Sequence, residues 1–315
     1  MSTPGDLVSV VMATFNGASF IRQQLDSILA QTHQNLQIVV SDDGSTDGTI
    51  DVLQEYATTG KLCWFASRAE RGPKPNFSNA LAHAKGSYIA FSDQDDIWKP
   101  TKLAASLEAV RAIERAHGVE TPVLVYTDLE LVNEDLTPIS SSYYGFMRRD
   151  PRKNSLNRLL FEVNVLGCSS LGNRALVQAA GSIPNEAAMH DSWFPLVACA
   201  LGQLEFLDVA SVLYRQHRGN VIGARKRPMR ELLRKTIDRG LDRGYYLTKS
   251  LMPCYSQARV LLRRYEPILG FATVELLRNF LACEHQGFVA KRINILRHGF
   301  LRHNTLESVE LLLRV

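Results

Sequence analysis

Three carboxylates fall within four residues in the segment Ser92-Asp93-Gln94-Asp95-Asp96-Ile97-Trp98. Acids so close repel one another unless a cation or a hydrogen-bond network takes up their charge. A hard divalent cation, Mg²⁺ or Mn²⁺, held by one or two carboxylates and completed by substrate phosphates, suits this composition. The other reading is a cluster of acids at the start of a helix from Pro100, where the helix dipole favours negative charge. If the chain is still extended at this point, Asp93 and Asp95 project to one side and Asp96 to the other. A second acidic stretch, Asp42-Asp43-Gly44-Ser45-Thr46-Asp47, is turn chemistry that also caps a following helix.

These acids need a frame. Val8 to Ala13, Leu36 to Ser41 and Ser87 to Ser92 are short apolar runs of the kind buried on both faces of a parallel sheet, with a further strand near Lys61 to Phe65. Helical stripes separate them at Ser19 to Gln31, Thr49 to Ala57 and Asn76 to Ala84. Regular alternation of this kind predicts a doubly wound α/β domain, and its ligands belong at the carboxyl ends of the strands. From Pro122 to Tyr214 the pattern is mixed. Strands are expected at Val123 to Tyr126, Gly167 to Leu171 and Glu205 to Val209, and helices at Leu176 to Ala180 and Ser192 to Leu201. After Arg225 only helices are expected, at Met229 to Leu241, Gln257 to Tyr265, Ala272 to Cys283 and Thr305 to Leu313.

Three ordered motifs sit at the ends of successive strands. They are Thr14-Phe15-Asn16, Ser41-Asp42-Asp43-Gly44-Ser45-Thr46-Asp47-Gly48-Thr49, and Asp93-Gln94-Asp95-Asp96-Ile97-Trp98. Together they resemble the family 2 glycosyltransferases of GT-A fold over roughly residues 7–220. The last motif further resembles the branch that contains bacterial rhamnosyltransferases of surface-polysaccharide, or O-antigen, assembly. The resemblance implies that Thr14, Phe15 and Asn16 line a nucleotide base pocket and that Asp42 or Asp43 accepts a hydrogen bond from the base. It places Asp93 near the ribose and Asp95 on a metal at the diphosphate, and leaves Asp96 toward the donor sugar or in a local cap. Lys74 and Asn76 fall where related enzymes contact the nucleotide, although Pro73 and Pro75 alter the spacing. Asp191, in His190-Asp191-Ser192-Trp193, matches the position of a general base, with His190 or Trp193 shaping the acceptor side; an N-cap on the helix from Ser192 is the alternative. Asn164 to Ser170 is expected at the acceptor cleft. His217 is expected beside the metal or diphosphate, with Arg215 and Arg218 as weaker phosphate partners.

The function implied is inverting, metal-dependent transfer of a hexose from a nucleoside diphosphate to a hydroxyl of a glycan or lipid-linked acceptor. The donor suggested by the branch is dTDP-L-rhamnose. A UDP-hexose-dependent enzyme of the same fold and a non-catalytic sugar-nucleotide-binding subunit are the alternatives. A sugar-nucleotide-forming nucleotidyltransferase would carry a Gly-rich, basic triphosphate loop where this chain has Thr14-Phe15-Asn16-Gly17.

Charge divides the chain. Residues 1–224 hold 18 Lys/Arg against 24 Asp/Glu, and residues 225–315 hold 18 against 8. The expected organisation is therefore a GT-A catalytic domain over 1–224 and a basic helical region over 225–315. In the latter, Leu232, Leu233, Ile237 and Leu241 form a stripe beside Arg230, Arg234, Lys235 and Arg239. That layout fits either peripheral attachment to an anionic membrane or packing on the catalytic domain or a second subunit. Nucleic-acid binding is not expected, since no recognition motif or interleaved aromatics accompany the basic residues. Five cysteines (63, 168, 199, 254 and 283) make no pair at metal spacing, which reads as reduced thiols in a cytoplasmic protein. No signal peptide is apparent, and no apolar run approaches the roughly 18–20 residues of a membrane span. The location expected is cytoplasmic, or peripheral at the inner face of the cell membrane.

Overall fold

The computed structural model describes residues 6–67, 71–217, 219 and 251–315. β1 (Val8–Thr14) is buried along almost its whole length, as its apolar sequence requires. α1 (Ile21–Leu29) leads to β2 (Leu36–Asp42), α2 (Thr49–Thr58) to β3 (Cys63–Ala66), and α3 (Pro73–Ala82) to β4 (Tyr88–Ser92). β1 pairs in parallel with β2 and β4, and β2 with β3. Thr14 stands beside Asp42, and Met12 beside Ser92, so the three acidic or polar motifs leave the sheet along one edge.

Then follow β5 (Ile97–Trp98), α4 (Lys102–His117), β6 (Val123–Asn133), β7 (Pro138–Ser140) and the short helices α5 (Tyr143–Met147) and α6 (Leu156–Leu159). β8 (Ser170–Asn173), α7 (Arg174–Ala180), α8 (His190–Leu201) and β9 (Gln203–Gln216) complete this part. The sheet order is β3-β2-β1-β4-β8-β6-β9-β5, with β7 paired to β6. β8 is antiparallel to both its neighbours, which makes the sheet mixed beyond the parallel half. Three strands differ from expectation, β9 among them, since it runs Gln203–Gln216 and not only Glu205 to Val209. Gly167–Ser169 is a helical turn, and the strand begins at Ser170. β6 runs well past Tyr126 because it pairs with β9 along its length, across an irregularity at Thr127 to Leu129.

The C-terminal helices are α9 (Met252–Tyr265), α10 (Phe271–Ala282), α11 (Phe288–His298) and α12 (Thr305–Arg314). They are joined to the α/β body by specific bonds. Tyr265 Oη donates to Ala179 O (2.6 Å), Asn157 Nδ2 to His298 O (3.0 Å) and His303 Nε2 to Glu162 O (2.8 Å). Phe161, from the body, packs edge-on against Phe280 of α10, with ring centroids 4.7 Å apart. α11 went without a sequence signal because its largest apolar side chains face outward. The expected helix at 229–241 lies outside the described residues, as do Arg218 and the 224/225 boundary. Among the described residues no helix is long and apolar enough to cross a membrane.

Candidate active site

The loops after β1, β2 and β4 are tied to one another by side chains from the motifs themselves. Gln94 bonds the Phe15 backbone twice, its Oε1 accepting from Phe15 N (2.9 Å) and its Nε2 donating to Phe15 O (3.1 Å). Gly17 is what permits this clamp, since a Cβ there would collide with the Gln94 amide. Asn16 sits in the left-handed region at φ 48°, tolerable for Asn, and its Oδ1 accepts from Thr46 N (2.8 Å). Its side chain is therefore committed to the 42–49 loop, a correction to the expectation that it lines the base pocket. Asp42 is corrected likewise. It is 1% exposed, and its carboxylate accepts from Thr14 Oγ1, Gly44 N, Ser45 N and Ser45 Oγ at 2.6–3.0 Å. Four donors leave it as the organiser of the turn. Asp43, accepting from Gly72 N (2.7 Å), faces the cavity in its place.

That cavity has a volume of about 600 Å³. Its lining includes Thr14 and Phe15, Asp93, Gln94 and Asp95, and Asn164 to Gly167 with Asp191. Asp93, Gln94 and Asp95 line it, while Asp96 is buried behind them with its carboxylate close to that of Asp93 and to the Cys168 thiol. Asp96 is 0% exposed; its Oδ1 accepts from Arg215 N (3.2 Å) and its Oδ2 has no partner. It therefore makes no contact with the cavity, a correction to its assignment toward the donor sugar. Arg215 is also consumed structurally. Its guanidinium donates to Asp95 O, Glu134 O and Gln23 Oε1, pinning β9 to the acidic loop.

The donor set fits a divalent cation. Burial, followed by the charges of Asp95 and Asp191, pushes the Asp93 carboxyl up to about 7. Such crowding is relieved by a positive ion. His217 Nε2 lies 2.8 Å from Asp95 Oδ2, so the two residues assigned to the metal side are together. His217 also borders an open depression with Asn133, Glu134, Asp135 and Gln216. Asp93, Asp96 and Cys168 offer ligand atoms within 4.8 Å of one another. Cys168 and Asp96 are buried, however, and burial pushes both well above their ordinary values, which favours the neutral forms. A neutral thiol is a poor ligand for a hard ion, which leaves Asp93, Asp95 and His217 as the set beside the cavity.

Asp191 is the second residue of α8 and not its cap; the cap position is Met189, and Ser192 Oγ accepts from Met189 N (3.1 Å). The Asp191 carboxylate accepts from the Gly167 backbone amide and lines the cavity. Burial pushes it up to about 6. His190 is pressed between Phe77 and Phe91, with centroids at 3.8 and 4.7 Å, and burial lowers it to about 3. It is a neutral wall at ordinary pH. Gly167 makes room for it, because a Cβ there would meet His190 Nε2. Trp193 turns away from the cavity. It is 0% exposed, its Nε1 donates to Ala180 O (3.1 Å), and Arg264 of α9 lies over its ring. The acceptor-side assignment thus fails for Trp193, whose work is to seat the C-terminal helices.

Lys74 is displaced too, because the prolines of Pro73-Lys74-Pro75 fall in the first turn of α3. Its Nζ donates to Asn185 O (2.6 Å) and Ala187 O (3.2 Å), away from the cavity. Arg71 lines the cavity instead, and Asn76 lines it while donating Nδ2 to Thr14 O (3.0 Å). Gln94, Arg71, Tyr143 and Arg149 are wall residues that sequence reasoning left without a role. Gln94 lay inside a quoted motif; Tyr143 and Arg149 lie in a stretch with no motif signal. Arg149 is held by Glu162 (2.5 Å) from the body and by Glu307 (3.2 Å) from α12.

Comparison with known proteins follows the same lines. Residues 9–161 match the family model described as glycosyl transferase family 2. An uncharacterized glycosyltransferase of Rickettsia typhi is 28% identical over 221 residues, 68% of this chain and 62% of that protein. The Escherichia coli UDP-Glc:alpha-D-GlcNAc-diphosphoundecaprenol beta-1,3-glucosyltransferase WfaP is 36% identical over 99 residues, 31% of this chain and 39% of that protein. The chain thus spans less than two thirds of the length of either relative. Among solved structures, Staphylococcus aureus TarS 1–349 superposes with a TM-score of 0.55 at 18% identity, covering 92% of this chain and 74% of that one. This likeness gives the fold, which is GT-A.

Proposed function

We propose that this chain is a family 2 glycosyl transferase that moves a sugar from a nucleoside diphosphate to an acceptor hydroxyl with inversion, a reading supported by the match of residues 9–161 and by the GT-A fold. The observation that carries the reading is the position of Asp191. It opens α8 without capping it, and it lines one cavity with Asp93 and Asp95. The lining of that cavity suits different tasks. Phe15 offers an exposed ring for a base, and Asp43 an acceptor for its imide hydrogen. Arg71 stands beside Asp43 as a cation for phosphate.

Asp93, Asp95 and His217 are the residues that would hold Mg²⁺ or Mn²⁺, which supplies charge neutralisation to the departing diphosphate when bound. Asp191 takes the proton from the attacking hydroxyl, which adds its bond to the anomeric carbon from the face opposite the leaving group. A positioned base of this kind contributes about 10²–10⁴-fold in rate. His190, Phe77 and Gly167 close the wall behind Asp191 and keep its surroundings poor in water.

The donor assigned first is dTDP-L-rhamnose, on the resemblance of Asp93 to Trp98 to the rhamnosyltransferase branch, with surface-polysaccharide synthesis as the setting. A UDP-hexose is the second reading, supported by the UDP-Glc in the name of WfaP and by TarS having been solved with UDP-GlcNAc. A glycan or lipid-linked hydroxyl is the acceptor in either case. Release of nucleoside diphosphate by the purified chain, across a panel of donors with Mn²⁺ and candidate acceptors, tests the reading. Asp191→Asn should abolish release by at least about a hundredfold while donor affinity stays within twofold. Lost donor binding in that variant would remove Asp191 from the role of base, and absence of turnover with every donor and acceptor would leave only a sugar-nucleotide-binding protein.

A further inference from the structure

α1 buries polar side chains where a helix packed on a sheet ordinarily buries only apolar ones. Gln24 lies among Ile21, Leu25 and Ile28 as a buried residue of this helix, and Gln31 follows just past its end. Both glutamines are 0% exposed. A buried carboxamide is uncommon, and it is costly unless its donors and acceptor find partners. For Gln24 those partners lie on the acidic loop. With the amide oriented to satisfy its neighbours, Nε2 donates to Asp96 O (2.6 Å) and Ser27 Oγ (3.1 Å), and Oε1 accepts from Ser92 Oγ (2.8 Å) and Trp98 Nε1 (3.1 Å). Ser27 Oγ also accepts from Trp98 N (3.0 Å).

These four bonds use the full capacity of the carboxamide. Three of them reach Ser92, Asp96 and Trp98, so one side chain ties the start, the middle and the end of the segment that carries Asp93 and Asp95 into the cavity. Other contacts of α1 converge on the same place. Gln23 Oε1 accepts from Arg215 Nη2 (2.6 Å), and Arg215 Nε donates to Asp95 O (2.8 Å). The Phe20 ring, one residue before α1, lies 4.6 Å from that of His217. Gln31 grips the chain beyond the segment, donating to Lys99 O (2.9 Å) and accepting from Leu103 N (3.0 Å).

We propose that Gln24 is the positioning residue of the cation site, holding the 92–98 loop in the shape that presents Asp93 and Asp95 to a single ion. The proposal rests on the reading that these carboxylates, with His217, hold Mg²⁺ or Mn²⁺. Gln24 acts through the backbone and side chains of the loop. Without it the loop has more shapes open to it, and the cost of ordering the ligands falls on ion binding. Cation affinity should therefore suffer, while nucleotide affinity measured without metal should not.

The test is titration of the full chain with Mn²⁺ in the presence of UDP or dTDP, followed by the electron paramagnetic resonance signal of the free ion. Gln24→Met keeps the length of the side chain and removes its hydrogen bonds. It should raise the Mn²⁺ dissociation constant roughly ten- to a hundredfold, the scale of losing a group that orients a metal ligand. Gln31→Met strips an equally buried carboxamide that serves the chain past the motif, and should leave that constant unchanged. Ser92→Ala, which removes a single bond to Gln24 with little change in volume, should weaken Mn²⁺ by a smaller factor; it decides the matter if circular dichroism shows Gln24→Met unfolded. Equal constants for Gln24→Met and Gln31→Met, or an unfolded Gln24→Met with Ser92→Ala like wild type, would overturn the proposal and leave the cation reading in place. A wild-type chain that takes up no Mn²⁺ with either nucleotide would overturn both.

Discussion

With its carboxyl pushed up to about 6 by burial, Asp191 holds its proton in acid and gives it up near neutrality. A base works only when deprotonated, so kcat/KM should fall about tenfold per unit of pH below about 6 and level off above it. A profile flat down to pH 4.5 would assign the proton transfer elsewhere. Two cations of the same sequence stretch should also behave differently. Arg71→Ala, at the cavity wall, should weaken nucleotide binding by about 1.5–3 kcal/mol, the scale of a hydrogen bond to a charged group, while Lys74→Ala leaves the dissociation constant within twofold. Calorimetric titration with UDP or dTDP separates them. At this scale the motifs led to residues that line one cavity, as at Asp95 and Asp191. The sequence was misleading where a neighbour claims the side chain: Asp42 is filled by the Thr14 and Ser45 hydroxyls and by backbone amides, and Asn16 is spent on Thr46. Residue type does not say which of two adjacent acids turns inward.

Elements were easier to read than their contacts. The parallel half of the sheet follows from apolar runs that must be buried on both faces, and β1, β2 and β4 stand where those runs predict. β8 was displaced because its first residues form a turn under His190, a tertiary contact that no local pattern encodes. α11 escaped because its largest apolar side chains face outward. The connection between elements that matters most for the site is the Gln94 clamp on the loop after β1. Gly17→Ala would drive a methyl group into the Gln94 amide, and expelling Gln94 frees both Phe15 backbone groups. The variant should lose about 1–3 kcal/mol of stability from overpacking. Its thermal shift with nucleotide should shrink as well, as read by differential scanning fluorimetry. A stability loss without the second effect would mean that the loop after β1 does not shape the nucleotide end.

At the scale of the molecule, the charge division of the chain does not mark a division in its packing. The described part of the basic region is fastened to the acidic body through Tyr265, Asn157, His303 and the aromatic contact of Phe161 with Phe280. Composition shows where charge lies along a chain and is silent on which surfaces meet. Glu307→Gln removes one of two carboxylates from the partly buried Arg149 and should cost about 1–2 kcal/mol in chemical denaturation. Glu307→Asp, with a shorter reach, should recover part of that loss.

The pairing of Arg149 with Glu307 has one more consequence. Arg149 lines the cavity, while Glu307 belongs to α12, the helix that exposes Val309 and Leu313 on its outer side. A ligand that draws the guanidinium inward competes with Glu307 for it, and a contact that reseats α12 shifts the same balance from outside. Thermodynamic reciprocity then requires that whatever factor one event imposes on the other be returned in equal measure. Glu307→Gln, which removes one competitor for the guanidinium, should therefore change the nucleotide dissociation constant in calorimetric titration, making the C-terminal helix a partner in the affinity of the cavity.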